Sequence, residues 1–131
     1  MSKALHLKTN GEITVVDIPT EDGHIFINHK IGGWFDVVRL RDTNLHAYVH
    51  DTGLIDNLPI NNAVSMLFDQ LLCGDIVLSS IGDNGEEVDI DGIYRKLDFL
   101  VECSRLNTDD KMSERLEKMI DRNPTYTITV G

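Results

Sequence analysis

Basic residues are scarce in this chain: 12 Lys and Arg stand against 22 Asp and Glu, a formal net charge of −10. Binding to a phosphate backbone draws on clustered cations. Here only Lys30, Arg39 and Arg41 lie near one another in sequence, so nucleic acid is excluded as the expected partner. The acidic surplus first of all confers solubility, with a DNA mimic or a ligand for a basic surface as the sharper alternative. Cysteine is limited to Cys73 and Cys103, with no Cys-x-x-Cys pair. That rules out a disulfide framework, and two small apolar side chains in the core are expected instead. No window approaches the roughly 18 consecutive apolar residues of a membrane span. The start Met1-Ser2-Lys3-Ala4-Leu5-His6 has no apolar signal core, so a cytoplasmic protein is expected.

Catalytic signatures are missing as well. No Ser-His-Asp or Cys-His arrangement is legible, and Gly32-Gly33 is not a Gly-x-Gly-x-x-Gly loop. His46 and His50 lie four apart on an expected strand, roughly 13 Å, and no cysteine sits beside them at ligand spacing. A solvated sheet face explains them better than a metal. No metal, cofactor or catalytic residue is expected. Asp36, Asp51 and Asp75 could supply carboxylates for acid–base work, but nothing in their spacing makes them converge.

What is present reads as one α+β domain over 1–131, with a mostly antiparallel sheet and helices packed on one face. Asn10-Gly11 between the β-prone runs 3–8 and 12–18 is a strong hairpin signal. His24 to Ile31 fits a helix or a strand. Trp34–Leu40 is rich in β formers, and Leu45–His50 alternates, with Leu45, Ala47 and Val49 on one side and His46, Tyr48 and His50 on the other. Asn61 or Asn62 can cap a helix in which Val64, Leu67, Phe68 and Leu71 form the buried stripe, ending at Cys73-Gly74. Asp75–Ile81 returns as a buried strand, and 86–90 forms a short edge strand. A helix from Asp91 carries Ile93, Tyr94, Leu97, Leu100 and Val101 on one side. A last helix (Met112, Leu116, Met119, Ile120) and a strand (Tyr126, Ile128, Val130) follow.

Four motifs in order carry a resemblance: Ile31-Gly32-Gly33-Trp34-Phe35-Asp36, Asp51-Thr52-Gly53-Leu54, Leu58-Pro59-Ile60-Asn61 and Gly74-Asp75-Ile76-Val77. The series, over about 3–90, resembles a domain-of-unknown-function family of small actinobacteriophage and actinobacterial proteins. The family usually has Glu where Asp36 stands and an acidic pair at His50-Asp51. The resemblance implies a helix near 22–31 ahead of the Gly-Gly corner, with 91–131 as a helical extension.

Candidate binding residues are Gly32 and Gly33, where backbone N–H groups could form an anion nest; Trp34 and Tyr48, as a stacking surface; and Asp36, Asp51, Asn61 and Asn62. For the glycines, a tight corner is the stronger reading. The expected function is a non-catalytic binding module. By the resemblance it is phage-encoded, modulating host physiology or defence by engaging a host protein. The alternative is a binder of a small nucleotide-like ligand, using the corner, Trp34 and Asn61; a small hydrolase comes a poor third. No membrane partner is expected, and self-association is left open.

Overall fold

The computed structural model describes residues 2–41, 43–53 and 56–109. The expected last helix and final strand lie outside the described residues. The strands are β1 (Ser2–Leu7), β2 (Ile13–Ile18), β3 (Phe35–Arg39), β4 (Leu45–His50), β5 (Ile76–Ile81) and β6 (Glu87–Val88). They form one antiparallel sheet in the order β2-β1-β5-β4-β3, with β6 on β5. The helices are α1 (Gly23–Ile31), α2 (Asn62–Phe68) and α3 (Leu97–Asn107), the last preceded by a 3-10 turn at Gly92–Arg95. The α+β antiparallel architecture read from the sequence is therefore the one found.

Strand geometry sends alternate residues to opposite faces, so the register assigns each side chain a layer. On one face Leu5, Leu7, Ala47, Val49, Ile76 and Leu78 pack with Val64 and Phe68 of α2 and Cys103 of α3. On the other, Ala4, Tyr48 and Val77 pack with Ile27 and Ile31 of α1 and with Ile18. The helices thus divide between both faces, which corrects the expectation of a single covered face. The cause is visible in β4, where all of Leu45–Val49 is buried. His46 and Tyr48 sit on a covered face, not on a solvated one.

Two further expectations change. The α2 helix stops at Phe68, where Asp69 adopts a left-handed conformation (φ 53°), well short of Cys73. Ser65 Oγ both accepts from Leu72 N–H (2.9 Å) and donates to Leu72 C=O (3.1 Å), which holds the returning chain in extended form. Ile60 and Cys73 then form an isolated bridge. In α3 the inward residues are Phe99, Leu100, Cys103, Leu106 and Asn107, whereas Leu97 and Val101 point to solvent. Of the apolar stripe expected from 93 to 101, Tyr94 and Leu100 do pack on the core, while Leu97 and Val101 do not.

Candidate functional site

The Gly-Gly corner ends α1. Gly32 has φ +85° with open space where a Cβ would stand, so its constraint is conformational. Gly33 is constrained by contact: a Cβ there would lie 2.6 Å from His50 Nε2. Both N–H groups donate to Asn28 C=O, at 2.9 and 3.1 Å, and Asn28 Oδ1 accepts from Phe35 N–H at 3.1 Å. With its donors engaged inside the fold, the corner has no free anion nest. Trp34 stands outside it at 74% exposure, its carbonyl accepting from Asp51 N–H.

Asn61 and Asn62 lie in the opposite layer, under α3, and are buried. Asn61 Nδ2 donates to Leu7 C=O (3.0 Å) and Gly74 C=O (3.1 Å). Its Oδ1 caps α2 at Val64 N–H (3.5 Å) and accepts from Asn107 Nδ2 (3.0 Å). Asn107 in turn donates to Lys8 C=O, and its Oδ1 accepts from Ala63 N–H. Asn62 Nδ2 donates to Leu106 C=O (2.7 Å). These amides tie β1, α2, α3 and the approach to β5 together. Their polar groups face the protein interior, where a ligand does not reach.

The remaining sequence candidates do not converge. Asp36 lies opposite Val49, on the α2–α3 face, and its Oδ1 accepts from Val37 N–H. Asp51 lies beside His50, with 3.8 Å between Oδ1 and Nδ1. Tyr48 lies on the α1 face, where it meets Phe35 edge-on at 5.0 Å between centroids. Gly32, Gly33, Trp34 and Asp51 cluster at one end of that layer, and Asn61 and Asn62 lie across the sheet from Tyr48.

Tyr48 nevertheless leads to a concave site. Its hydroxyl bonds to Glu87 Oε1, and both residues line a cleft of about 480 Å³. Ile18, Ile27 and Phe35 give the cleft an apolar floor; Ser2, Thr20, His24 and Glu86 add polar groups at its walls. Burial raises the Glu87 pKa, with Tyr48 and Ser79 pulling it back. Burial likewise raises that of Tyr48, and Glu87 adds to the effect. Behind this wall His46 is paired across strands with Ser79, and burial lowers its pKa, with Arg39 adding to the fall. Glu87 Oε2, Ser79 Oγ and His46 Nε2 are buried without a hydrogen bond of good geometry, although Ser79 stands close enough to Tyr48 and Glu87 to influence both. Buried polar atoms are nearly always satisfied, so such a row sets this wall apart.

Glu87 escaped the sequence reading. The only signal was its place in the short strand near 86–90, and its partner Tyr48 is 39 positions away. The cysteines fit the reading as core side chains: both are buried, and burial pushes the Cys103 thiol up to about 11. Among the described residues no three His, Cys, Asp or Glu side chains group as metal ligands. No helix among them is long and apolar enough to cross a membrane.

No curated protein and no solved structure matches the chain. One family does, over residues 2–98, which takes in all six strands, α1, α2 and the 3-10 turn and reaches into the first turn of α3. Its description is domain of unknown function (DUF3846). The match spans the Gly-Gly corner, the Asn61 cap and both sides of the Tyr48–Glu87 wall, and on that extent the chain belongs to the DUF3846 family.

Proposed function

We propose that this chain is a non-catalytic binding module whose site is the cleft between the N-terminal end of α1 and the sheet. One observation carries the reading. A cleft of about 480 Å³ combines an apolar floor with a hydrogen-bonded Tyr48–Glu87 pair. Small-molecule sites are concave and mostly apolar, with a few placed polar groups, and this cleft has the size and make-up of one. Ser79, behind the wall, is fully buried and both cysteines are buried elsewhere in the fold, so none of the three offers the cleft a nucleophile, and the reading taken is binding without turnover. A nucleotide's phosphates find little here, since among the described residues no Lys or Arg lines the cleft and the corner N–H groups are engaged by Asn28. In the phage setting that the resemblance implies, the domain works in the host cytoplasm and the molecule bound is the host's.

The exposure of Trp34 favours a second reading, a host protein anchored on that ring, because Trp offers large contact area with few rotamers to lose. Amide chemical shifts during a small-fragment screen separate the two. Under the first reading, hits move the resonances of Thr20, His24 and Phe35, and the response disappears in His24→Trp, which fills the cleft from an exposed position. Hits that gather around Trp34 and leave the cleft silent would favour the second.

A further inference from the structure

We infer that the outer edge of β2 is the docking site for a segment of this same chain, residues 125–130, which adds to the sheet as an antiparallel strand. The sheet has two outer strands, β2 and β3, and their edges are finished differently. In β3, Leu40 N–H donates to Leu45 C=O, so the alternation of the ladder turns the N–H groups of Phe35 and Val37 outward. Both are taken by side chains: Asn28 Oδ1 accepts from Phe35 N–H at 3.1 Å, and Asp36 Oδ1 from Val37 N–H at 2.9 Å. In β2, Lys8 N–H donates to Glu12 C=O, which turns the backbone groups of Ile13, Val15 and Asp17 outward. Among the described residues no strand pairs with them there. Ile13–Ile18 holds no proline or lysine, and its register with β1 has no bulge, so the usual guards of an edge are missing. Val15, at the middle of this edge, is 46% exposed.

The chain itself supplies the occupant. The α3 helix ends at the tip of the β1–β2 hairpin, where Asn107 Nδ2 donates to Lys8 C=O (3.1 Å) and a Cβ on Gly11 would lie 2.6 Å from Thr108 Cγ2. Residues 110–131 therefore set out from the end of the hairpin at which β2 begins. Leu97 and Val101 share the side of α3 on which Ser104 and Thr108 meet Gly11, and both are exposed, so this flank is apolar and open. The spacing of Met112, Leu116, Met119 and Ile120 predicts a helix. Over about twelve residues it would run roughly 18 Å, close to the roughly 20 Å of a six-residue strand such as β2. With its stripe on Leu97 and Val101 it carries the chain to the far end of β2, and Asn123-Pro124 turns it back. Residues 125–130, in which threonines alternate with Tyr126, Ile128 and Val130, then return along β2 in the antiparallel sense. Aligned end to end, Ile128 faces Val15 and Val130 faces Ile13. That register also puts the three apolar side chains on the same face of the sheet as Ile13 and Val15. Charge favours this occupant over a second copy. Residues 110–131 hold four basic and four acidic side chains, so the net −10 lies wholly on 1–109, and residues 125–130 are uncharged.

A cysteine pair, Thr14→Cys with Thr129→Cys, tests this in the full chain. In the inferred register positions 14 and 129 face each other where the ladder has no hydrogen bonds, with Cα atoms about 4.5 Å apart and within disulfide reach. Cys73 and Cys103 are buried and do not compete. The expected result is a disulfide within one chain on mild oxidation, and none for Thr14→Cys with Thr125→Cys, about 13 Å out of register. In the wild type the amides of Ile13, Val15 and Asp17 should exchange with solvent about tenfold or more slower than in a free peptide. Ile128→Pro, which removes a ladder donor, should abolish that protection at Val15. The disulfide and the wild-type exchange decide the matter even if the proline variant does not fold. A 14–129 disulfide found only between two chains makes the occupant a second copy and overturns docking within the chain. Slow exchange without the disulfide puts something else on the edge, and that too overturns the inference. Free-peptide exchange at all three amides overturns the edge as a docking site.

Discussion

Replacing Asn61 with alanine tests the buried amide hub most directly. The side chain is 0% exposed and makes three well-formed bonds, to Leu7 C=O, Gly74 C=O and Asn107 Nδ2, plus a long cap bond to Val64 N–H. A net hydrogen bond is worth about 1 kcal/mol, and a partner left buried and unpaired raises the loss to about 1–3 kcal/mol. Asn107 keeps Lys8 C=O as an acceptor, so the full penalty falls mainly on the two carbonyls. The sum is roughly 4 kcal/mol, a large share of the about 5–15 kcal/mol that holds a domain together. Urea unfolding followed by circular dichroism should show the midpoint falling at unchanged slope. Asn61→Asp sharpens the test, because it sets an oxygen against the Leu7 and Gly74 carbonyls. It should be at least as damaging at neutral pH and milder in acid, where a protonated carboxyl can donate to one of them. A loss below about 1 kcal/mol for alanine would refute the hub as a stabilising centre. An aspartate tolerated better than alanine at neutral pH would mean that the amide points the other way.

The two glycines should respond differently. Gly32→Ala should cost about 1 kcal/mol whatever stands at 50, because its φ of +85° is the constraint. Gly33→Ala should be largely rescued by His50→Ala, so a double-mutant cycle in denaturant that shows no coupling would refute the contact account. For Glu87, the raised pKa means that the folded state holds the proton more tightly than the unfolded chain. Its contribution to stability is therefore fully present below the unfolded carboxylate range, near pH 4, and is lost as pH climbs through the folded value. Relative to wild type, Glu87→Gln should gain stability as pH rises above about 4, and parallel profiles would show that Glu87 titrates normally.

Local signals gave the local elements. Asn10-Gly11 marked the first hairpin, and alternation over Leu45–His50 gave β4 and placed Tyr48 on the histidine side. What could not be read depended on distant partners. Leu71 fits the helical spacing of Val64, Leu67 and Phe68, but the chain leaves the helix because Asn61 N–H and Ser65 Oγ both bond to Leu72. The cap role of Asn61 was legible from its neighbours; its bonds to Leu7, Gly74 and Asn107 were not. Half of the cleft wall was named through Tyr48. The other half was invisible, because whether Glu86 or Glu87 turns inward depends on the pairing of β6 with Ser80 and Ile81.

The register of β1 sets an order on how this chain can fold. It precedes the other described strands in the chain, yet its second neighbour is β5, through Leu5–Leu78, His6–Val77 and Leu7–Ile76. The hairpins β1–β2 and β3–β4 need only short loops and can form at once, whereas β5 joins both to make one sheet. Until β5 emerges, the nascent protein is two separate hairpins with unpaired edges. Closing the β1–β5 seam across some seventy residues carries the largest loop-closure entropy in the sheet. The joining of β5 therefore gates the rate, and a chain stalled before Ile76 leaves the β1 and β4 edges that β5 covers in the sheet available for pairing with another copy.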